Sequence, residues 1–542
     1  MAAIRAVIAP PTSPPHARAD GALFTAHSRP DWSLRLAMLV AALLGLTAVA
    51  LSYRADMVLM YNDAAAHLTI ARRLLDSRTP GVAQLGTVWL PLPHLLLQPF
   101  VYNDALWRTG LAGSLLGFFC YMGTALFLFR GGRLLGRSEL AAWVAMLTFA
   151  LNPNILYLQS TAMTESVYLL MMTGSGYFLL RWGDGEALAD LMLAGLLAVL
   201  AVGTRYDGWV FAALSTALVG IGVHRRWRTP VRTQALTIAY VALPGYAALL
   251  WLFYNWLVFG SPLAFASSQA GEISVEGQVL RQSSGLLTPL HGNLWLSLSS
   301  YNASIFDVLG GGTALLALLG LAVYALTTWR QPSGLIPFVF LSSYPFQVLS
   351  LILGLSIITT PRTAAGYDNV RYALMLAPGA AIFIAYLAGY LGRRFPPRLA
   401  TAAALLFLAV QGAAWVPNWP RSIPVIAEGQ NAVPFRVASI PAARYFREHY
   451  RGGGVLIDDG NVPFLIQAQI SLANYVTANN GNLWFDALRD PASYVVWAVI
   501  RQGQGGQGGD SLSVLFAPSS PLFRRYSPAY AANGYVIYRR AR

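Results

Sequence analysis

Charged residues, cysteine and lysine are scarce or missing in this sequence of 542 residues. Only 11% of the residues are charged, less than half of the ~25% found in soluble domains, which excludes an ordinary soluble protein. Cys120 is the single cysteine, so the sequence excludes an internal disulfide and a cysteine metal cluster. No lysine occurs, so arginine supplies the positive charge behind the net charge of +14.

Hydrophobic residues, by contrast, make up 56% of the chain. They recur in runs of roughly 17 to 25 residues, which is the length that crosses a bilayer as a helix. The sequence therefore predicts about 11 membrane spans. They are Leu34–Leu51, Thr109–Phe129, Leu140–Tyr157, Ser166–Leu180, Leu188–Thr204, Gly208–Val223, Ala235–Phe259, Val308–Thr328, Leu335–Ile358, Tyr372–Leu391 and Leu399–Val416.

The short loops between these spans indicate their orientation. Cytoplasmic loops of membrane proteins carry an excess of basic residues, and here every second loop carries arginine at its membrane edge. We therefore predict a multi-pass protein of the cytoplasmic (inner) membrane with its N-terminus inside and its C-terminus outside. This placement explains the positive charge without nucleic acid, which we do not expect as a partner. The loop arginines are Arg130, Arg133, Arg137, Arg181, Arg225, Arg226, Arg228, Arg232, Arg330, Arg393, Arg394 and Arg398.

The predicted fold class is mainly α, a transmembrane helical bundle followed by an extracytoplasmic α/β domain. Residues 1–33 are rich in Pro, Ala and Arg and predict a disordered cytoplasmic tail. Residues 34–416 form the transmembrane part. It contains two long outer segments, 53–107 with helices that lie along the membrane interface, and 260–307.

Residues 417–542 differ in composition and predict the small α/β domain outside the membrane. An amphipathic helix at Ile440–Tyr450 precedes a strand at Val455–Ile457. Further strand-like runs follow at Tyr494–Ile500, Leu512–Phe516 and Tyr535–Tyr538.

Charged side chains gather in the predicted outer connections, at one level of the membrane. Because charge at membrane depth is costly, such residues usually have a partner or a function. Four separate connections supply them, and a helical bundle can bring these connections together. The residues are Asp63 and His67 after the first span, Glu165, Arg205 and Asp207 in two short turns, and Asp368 and Arg371 before the tenth span.

Each of these residues also has a structural interpretation. Asp63 or Glu165 could cap a helix, and Arg205 could pair locally with Asp207. His67 could be a hydrogen-bond partner of Asp63, and Arg371 could anchor the chain at the interface. Asp63 and His67 have the i, i+4 spacing of metal ligands without a clear third ligand, so a divalent metal ion is left open.

The functional interpretation is an enzyme that acts on a lipid-linked anionic donor. Such an enzyme needs a carboxylate base near the acceptor hydroxyl. It also needs an arginine for the phosphate that leaves, because a guanidinium binds phosphate oxygens in pairs and keeps its proton.

Several motifs carry a resemblance to a known family. They are Tyr61-Asn62-Asp63-Ala64-Ala65-Ala66-His67, Trp89-Leu90-Pro91-Leu92-Pro93-His94, Thr164-Glu165-Ser166, Thr204-Arg205-Tyr206-Asp207-Gly208 and Val370-Arg371-Tyr372. In their order and topology the chain resembles the GT-C glycosyltransferases. It is most similar to the bacterial branch that includes protein O-mannosyltransferases and the aminoarabinose transferase of lipid A.

The resemblance implies an inverting glycosyltransferase, hexosyl or pentosyl, with a polyprenyl-phosphate sugar as donor. The acceptor would be a hydroxyl of an envelope glycolipid, polysaccharide or protein on the outer face of the membrane. Asp63 would be the catalytic base, and Arg371 with Tyr372 would bind the donor phosphate. Supporting residues would be His67, Glu165, Arg205 and Asp207, and candidate substrate contacts would be His94 and Asp368.

The chain departs from the family at one catalytic position. Ala64 follows Asp63 where many relatives have glutamate, so a second carboxylate has to come from elsewhere, such as Glu165. The alternative function is a transporter or flippase for lipid-linked sugars. Such proteins often show internal repeats and midplane polar sites, whereas here the polar residues lie at the outer level, which favours the enzyme. A receptor with a ligand-binding tail would leave the outer charges unexplained.

Overall fold

The structure, a computed structural model, describes residues 31–266, 290–364, 366–413, 422–503, 509–515, 520 and 524–541. The predicted cytoplasmic tail lies outside the described residues except for its last three positions. Those positions open the first helix, where the Asp31 side chain accepts a hydrogen bond from the Leu34 N–H at 3.0 Å. The first helix therefore begins two residues before the predicted span, at Trp32.

Helices make up most of the described residues. Short 3-10 helices lie at Val82–Leu85, Ala264–Ala266, Ile336–Leu341, Val370–Leu376, Leu472–Asn474 and Ala478–Asn480. The α-helices are α1 (Trp32–Arg54), α2 (Asn62–Arg73), α3 (Leu92–Val101), α4 (Asp104–Thr109), α5 (Leu111–Gly136), α6 (Glu139–Ala150), α7 (Pro153–Leu158), α8 (Glu165–Gly185), α9 (Leu188–Val202), α10 (Asp207–Trp227), α11 (Pro230–Phe259), α12 (Leu294–Leu309), α13 (Gly311–Thr328), α14 (Ser343–Ile352), α15 (Ala377–Gly392), α16 (Pro397–Ala413), α17 (Pro424–Gln430), α18 (Val433–His449), α19 (Val462–Gln467), α20 (Asn482–Arg489), α21 (Pro491–Tyr494) and α22 (Ser511–Leu515).

Six helices among the described residues are long and apolar enough to cross a membrane: α1, α5, α10, α11, α13 and the continuous stretch Val370–Gly392. Shorter apolar helices occupy several other predicted spans, such as α9 and α16. The predicted span Leu140–Tyr157 is divided into α6 and α7, because the Asn152 side chain caps a new helix that starts with Pro153. The chain is a mainly helical, multi-pass protein, and the count of 11 spans and the orientation stay predictions.

The connections between the helices fall at two opposite ends of the bundle. At one end, arginines of the predicted inner loops bind the C-terminal ends of neighbouring helices. Arg393 Nη1 donates to the Gly136 carbonyl at 2.8 Å, and Arg226 Nη1 donates to the Gly183 carbonyl at 3.2 Å. The predicted outer turns meet at the other end, where they bring the candidate site residues together.

The C-terminal part contains a mixed sheet of five strands in the order β2-β1-β3-β5-β4. Strand β1 pairs in parallel with β2 and β3, whereas β5 pairs antiparallel with β3 and β4. The strands are β1 (Val455–Ile457), β2 (Tyr475–Val476), β3 (Trp497–Arg501), β4 (Tyr526–Ala532) and β5 (Tyr535–Arg540).

The strand predicted at Leu512–Phe516 is wrong, because Ser511–Leu515 form helix α22. The Asp510 side chain accepts a hydrogen bond from the Ser513 N–H at 2.9 Å, which is the bond that opens a helix. The amphipathic helix predicted at Ile440–Tyr450 corresponds to the second part of α18, which starts seven residues earlier at Val433 and ends one residue earlier at His449.

The bundle and the C-terminal part share one core. A single cluster of buried apolar side chains includes Leu68 of α2, Val167 of α8 and Phe464 of α19. The Tyr61 hydroxyl, just before α2, donates to the Val425 carbonyl at 2.6 Å. The candidate site therefore lies at a packed junction where the C-terminal part covers one end of the bundle.

Candidate active site

Asp63 lies in the first turn of α2, where the positive end of the helix dipole stabilises a carboxylate. Tyr61 is the N-cap residue, so Asp63 does not cap the helix, and its side chain points to Arg371 instead. Ala64 and Ala65 are buried, and their small side chains let the helix pack closely against its neighbours. The Asp63 side chain keeps 37% of its surface exposed, so a substrate can reach it.

Arg371 is the centre of the site. It lies in the 3-10 helix Val370–Leu376 and is only 5% exposed. Its Nη2 donates to Asp63 Oδ2 at 2.8 Å, and its Nε donates to Glu165 Oε1 at 3.3 Å. Its Nη1 contacts Glu428, and its backbone N–H donates to Glu428 Oε2 at 3.2 Å. One guanidinium thus joins carboxylates from three separate parts of the chain.

Arg205 forms a second ion-pair centre beside the first. Its Nη1 lies 3.0 Å from Glu165 Oε1, so Glu165 bridges the two arginines. Its Nε lies 3.2 Å from Asp207 Oδ2, and Gln347 Nε2 donates to Asp207 Oδ1 at 2.9 Å. The local pair between Arg205 and Asp207 therefore exists, but it belongs to a larger buried network. Within the described residues, Glu165 Oε2 is buried and makes no hydrogen bond.

Tyr372 lies between the two arginines. Its ring centroid is 4.7 Å from the Arg205 Cζ and 4.9 Å from the Arg371 Cζ. The Tyr61 ring lies 5.1 Å from the Arg371 Cζ. Aromatic rings at these distances attract guanidinium groups, so both tyrosines help hold the arginines in place.

Asp368 lies at the edge of the cluster. A backbone bridge to Thr359 fixes its position, with the Thr359 N–H donating to the Asp368 carbonyl at 3.0 Å. Burial raises the pKa of its carboxyl, and the nearby Asp63 raises it further while Arg371 lowers it. The structure thus places Asp368 within the electrostatic reach of the site without a direct ion pair to Arg371.

His67 and His94 form a buried pair. His67 Nδ1 lies 2.9 Å from His94 Nε2, and the His67 ring packs against the edge of Trp89 with centroids 4.8 Å apart. No hydrogen bond joins His67 to Asp63 within the described residues. Burial, with the positive charges of Arg371 and Arg205, lowers the pKa of His67 to about 3, so this ring is neutral near pH 7. The pair therefore links α2, which carries His67, to α3, which carries His94.

Glu428 is the site residue that the sequence analysis missed. It lies in α17, beyond the last predicted span, and its side chain is 4% exposed. Burial raises the pKa of Glu428 to about 7, although Arg371 opposes this effect. The only signal in the sequence is that an acidic residue directly follows the short apolar run Ile423–Ala427.

Acidic groups outnumber basic groups in this cluster. Burial raises the pKa of Asp63, and the Glu165 charge adds to this effect against Arg371 and Arg205. Such a carboxylate is a stronger base than an ordinary aspartate.

Within the described residues no three His, Cys, Asp or Glu side chains are placed to hold a metal ion, because the carboxylates face guanidinium groups instead.

Comparison with solved structures identifies the fold. The crystal structure of ArnT from Cupriavidus metallidurans bound to undecaprenyl phosphate matches with a TM-score of 0.56 and 11% identity, over 94% of this chain and 98% of that chain. The chain has the GT-C fold. A second GT-C structure, the oligosaccharyltransferase of Archaeoglobus fulgidus in complex with Zn and sulfate, matches with a TM-score of 0.50 and 13% identity, over 93% and 73% of the two chains.

Comparisons of whole sequences find no relative of this chain, whereas the comparison of structures does. No protein-family model matches the chain, and no curated protein matches it by sequence. The match to ArnT extends over both the bundle and the C-terminal part, since it covers nearly all of both chains. The comparison therefore confirms the predicted GT-C fold, while the roles of single residues have to be argued from this site.

Proposed function

We propose that this chain is a glycosyltransferase of the cytoplasmic membrane that uses a polyprenyl-phosphate sugar as donor. The acceptor is a hydroxyl group, the active site is on the outer face, and the anomeric configuration inverts. The observation that supports this proposal is the meeting of Asp63, Glu165 and Arg371 at one end of a GT-C bundle. A solved structure with this fold, ArnT, holds undecaprenyl phosphate.

Asp63 is the proposed general base. It is the most exposed of the three acids on Arg371, with 37% of its side chain accessible against 1% for Glu165 and 4% for Glu428. Its raised pKa suits the removal of a hydroxyl proton. The acceptor proton passes to the carboxylate while the acceptor oxygen attacks the anomeric carbon. The bond from that carbon to the phosphate oxygen breaks, and its electron pair leaves with the lipid phosphate.

Arg371 is the proposed phosphate ligand. Its Nη1, Nη2 and Nε each contact a carboxylate, so an incoming phosphate has to displace one of these acids. We expect the phosphate to displace Asp63, because the other two acids are buried. Donor binding therefore frees Asp63 from its ion pair and makes it available as a base.

Glu165 is the proposed second acid of the site. Its Oε1 holds both arginines, and its Oε2 is buried and makes no hydrogen bond within the described residues. We propose that this oxygen accepts a hydrogen bond from a sugar hydroxyl once the donor has displaced Asp63. Arg205 and Asp207, themselves fixed by Gln347, keep Glu165 in place. Specificity for the sugar would then depend on a rigid network.

The test is release of polyprenyl phosphate by the purified protein. A panel of polyprenyl-phosphate sugars is supplied with a membrane extract as acceptor, and the wild type is compared with Asp63→Asn. We expect release by the wild type and a loss of roughly 10²- to 10⁴-fold in Asp63→Asn, the usual contribution of a general base. The productive donor would identify the sugar.

The matched control is Asp104→Asn, which removes an exposed acid of the same outer segment, 58% accessible and paired with Arg72. We expect its release rate to match that of the wild type. Equal release by wild type and Asp63→Asn would remove Asp63 from the chemistry. Binding of the donors without any release would favour the alternative, transport of lipid-linked sugars.

A further inference from the structure

A cavity of about 500 Å³ lies beside the candidate active site, between the chain that follows α1 and the C-terminal helices α18 and α19. Linker residues between Tyr53 and Asn62 form one wall, and Arg436 and Ile466 belong to the opposite wall. Its volume is within the range of ~300 to 1,000 Å³ that is typical of small-molecule sites. The proposed transfer reaction assigns no role to this cavity.

The charge of the cavity wall is positive. Arg54, Arg108 and Arg436 line it together with a single acid, Asp56, so the lining carries a net charge of +2. Arg436 pairs with Asp56 at 2.6 Å. Arg54 is exposed and forms no ion pair with a described residue.

Arg108 is only partly neutralised. It shares Asp104 with Arg72, which lies closer to that carboxylate, at 2.6 Å against 3.4 Å for Arg108. Arg108 Nη1 also donates to the Ile466 carbonyl at 3.1 Å, which holds its guanidinium at the cavity. The wall therefore offers two cations, Arg54 and Arg108, whose charge is not fully balanced within the described residues.

The position and the remaining lining indicate an amphiphilic ligand. Arg54 is the last residue of the candidate span α1, and Thr109 lies two residues before the start of the candidate span α5. The cavity is therefore at a membrane boundary, the level at which lipid head groups lie. Leu59 and Met60 of the linker give the wall an apolar portion beside the arginines.

We propose that this cavity binds the phosphate head group of an anionic amphiphile from the membrane. Arg54 and Arg108 pair with the phosphate of a phospholipid, and the apolar wall contacts the start of its acyl chains. The site is separate from Arg371, which does not line it, although Tyr61 belongs to both. The proposal concerns binding and stands independently of the transfer reaction.

The test measures binding of dihexanoyl phosphatidate by titration calorimetry with the purified full chain in a neutral detergent. Arg54→Gln is expected to weaken binding about tenfold, which corresponds to about 1.4 kcal/mol. Asp56→Asn is expected to tighten binding several-fold, because it frees Arg436. The backbone of Asp56 has a φ of 56°, a conformation that asparagine adopts readily, so this variant keeps the local fold.

Three controls define the ligand. Arg444→Gln removes an exposed arginine of α18 outside the cavity and should leave binding within twofold of the wild type. Neutral dihexanoylglycerol should bind at least tenfold more weakly than phosphatidate. Inorganic phosphate should also bind more weakly, since it lacks the apolar part.

Opposite effects of Arg54→Gln and Asp56→Asn would support the proposal, because a loss of structure would weaken binding in both variants. Equal losses in Arg54→Gln and Arg444→Gln would overturn it, as would weaker binding by Asp56→Asn. Inorganic phosphate that binds as tightly as phosphatidate would overturn the amphiphile as ligand.

Discussion

Replacement of Arg371 by glutamine should destabilise the protein more than any other single charge change in the site. The guanidinium contacts Asp63, Glu165 and Glu428, and the last two are nearly inaccessible to water. Removing one partner of a buried ion pair leaves the other charge uncompensated, which costs about 3 to 5 kcal/mol. Equilibrium unfolding in mixed detergent and SDS micelles, followed by tryptophan fluorescence, would give the difference in free energy of unfolding.

A double variant shows whether uncompensated charge is the cause. If it is, Glu428→Gln in the Arg371→Gln background should recover about 1 to 3 kcal/mol, because it removes one of the unpaired acids. Arg489→Gln is the matched control, since Arg489 is 81% exposed and its partner Asp486 is 45% exposed, so their pair should contribute less than about 1 kcal/mol. A loss below about 0.5 kcal/mol in Arg371→Gln, or strictly additive effects in the double variant, would refute the reasoning.

Two further predictions concern pH and packing. Because burial raises the pKa of Glu428 to about 7, the fold favours its neutral form, so this residue stabilises the protein below its ordinary pKa and the effect is lost as the pH rises through 7. Thermal midpoints between pH 5 and 8 should fall less steeply in Glu428→Gln than in the wild type, and equal slopes would contradict this. Gly389→Ala should cost about 1 to 3 kcal/mol, because its new methyl group would overlap the Gly136 carbonyl oxygen. Gly392→Ala, which has open space around it, should leave the thermal midpoint almost unchanged.

The sequence predicts much of the site because topology constrains where span ends can lie. Asp63, Glu165 and Arg371 each lie in a connection next to a different hydrophobic run. Because successive spans cross the membrane in opposite directions, the topology assigns all three connections to one end of the bundle. Their contacts are then a matter of packing between neighbouring helices. The structure places both acids within 3.3 Å of the Arg371 guanidinium.

Residues without such a constraint could not be assigned in advance. Glu428 follows the last span, and no periodicity indicates which way the chain turns there. His67 has helical spacing from Asp63, yet its partner is His94, which lies 27 residues further along the chain. The strand predicted at Leu512–Phe516 is wrong for a local reason. A run of five apolar and hydroxyl residues fits either a strand or a helix, and here the Asp510 side chain caps a helix.

The bond between Tyr61 and Val425 joins residues that are 364 positions apart, on either side of the whole bundle. With Asp63 beside the first of them and Glu428 beside the second, the site is assembled from the earliest and the latest parts of the bundle to be synthesised. On the ribosome, every intervening helix has to be inserted before the two halves can meet. The ion-pair network around Arg371 is therefore incomplete until α17 has been made, and a chain that stalls before residue 424 would carry Asp63 and Arg371 without Glu428.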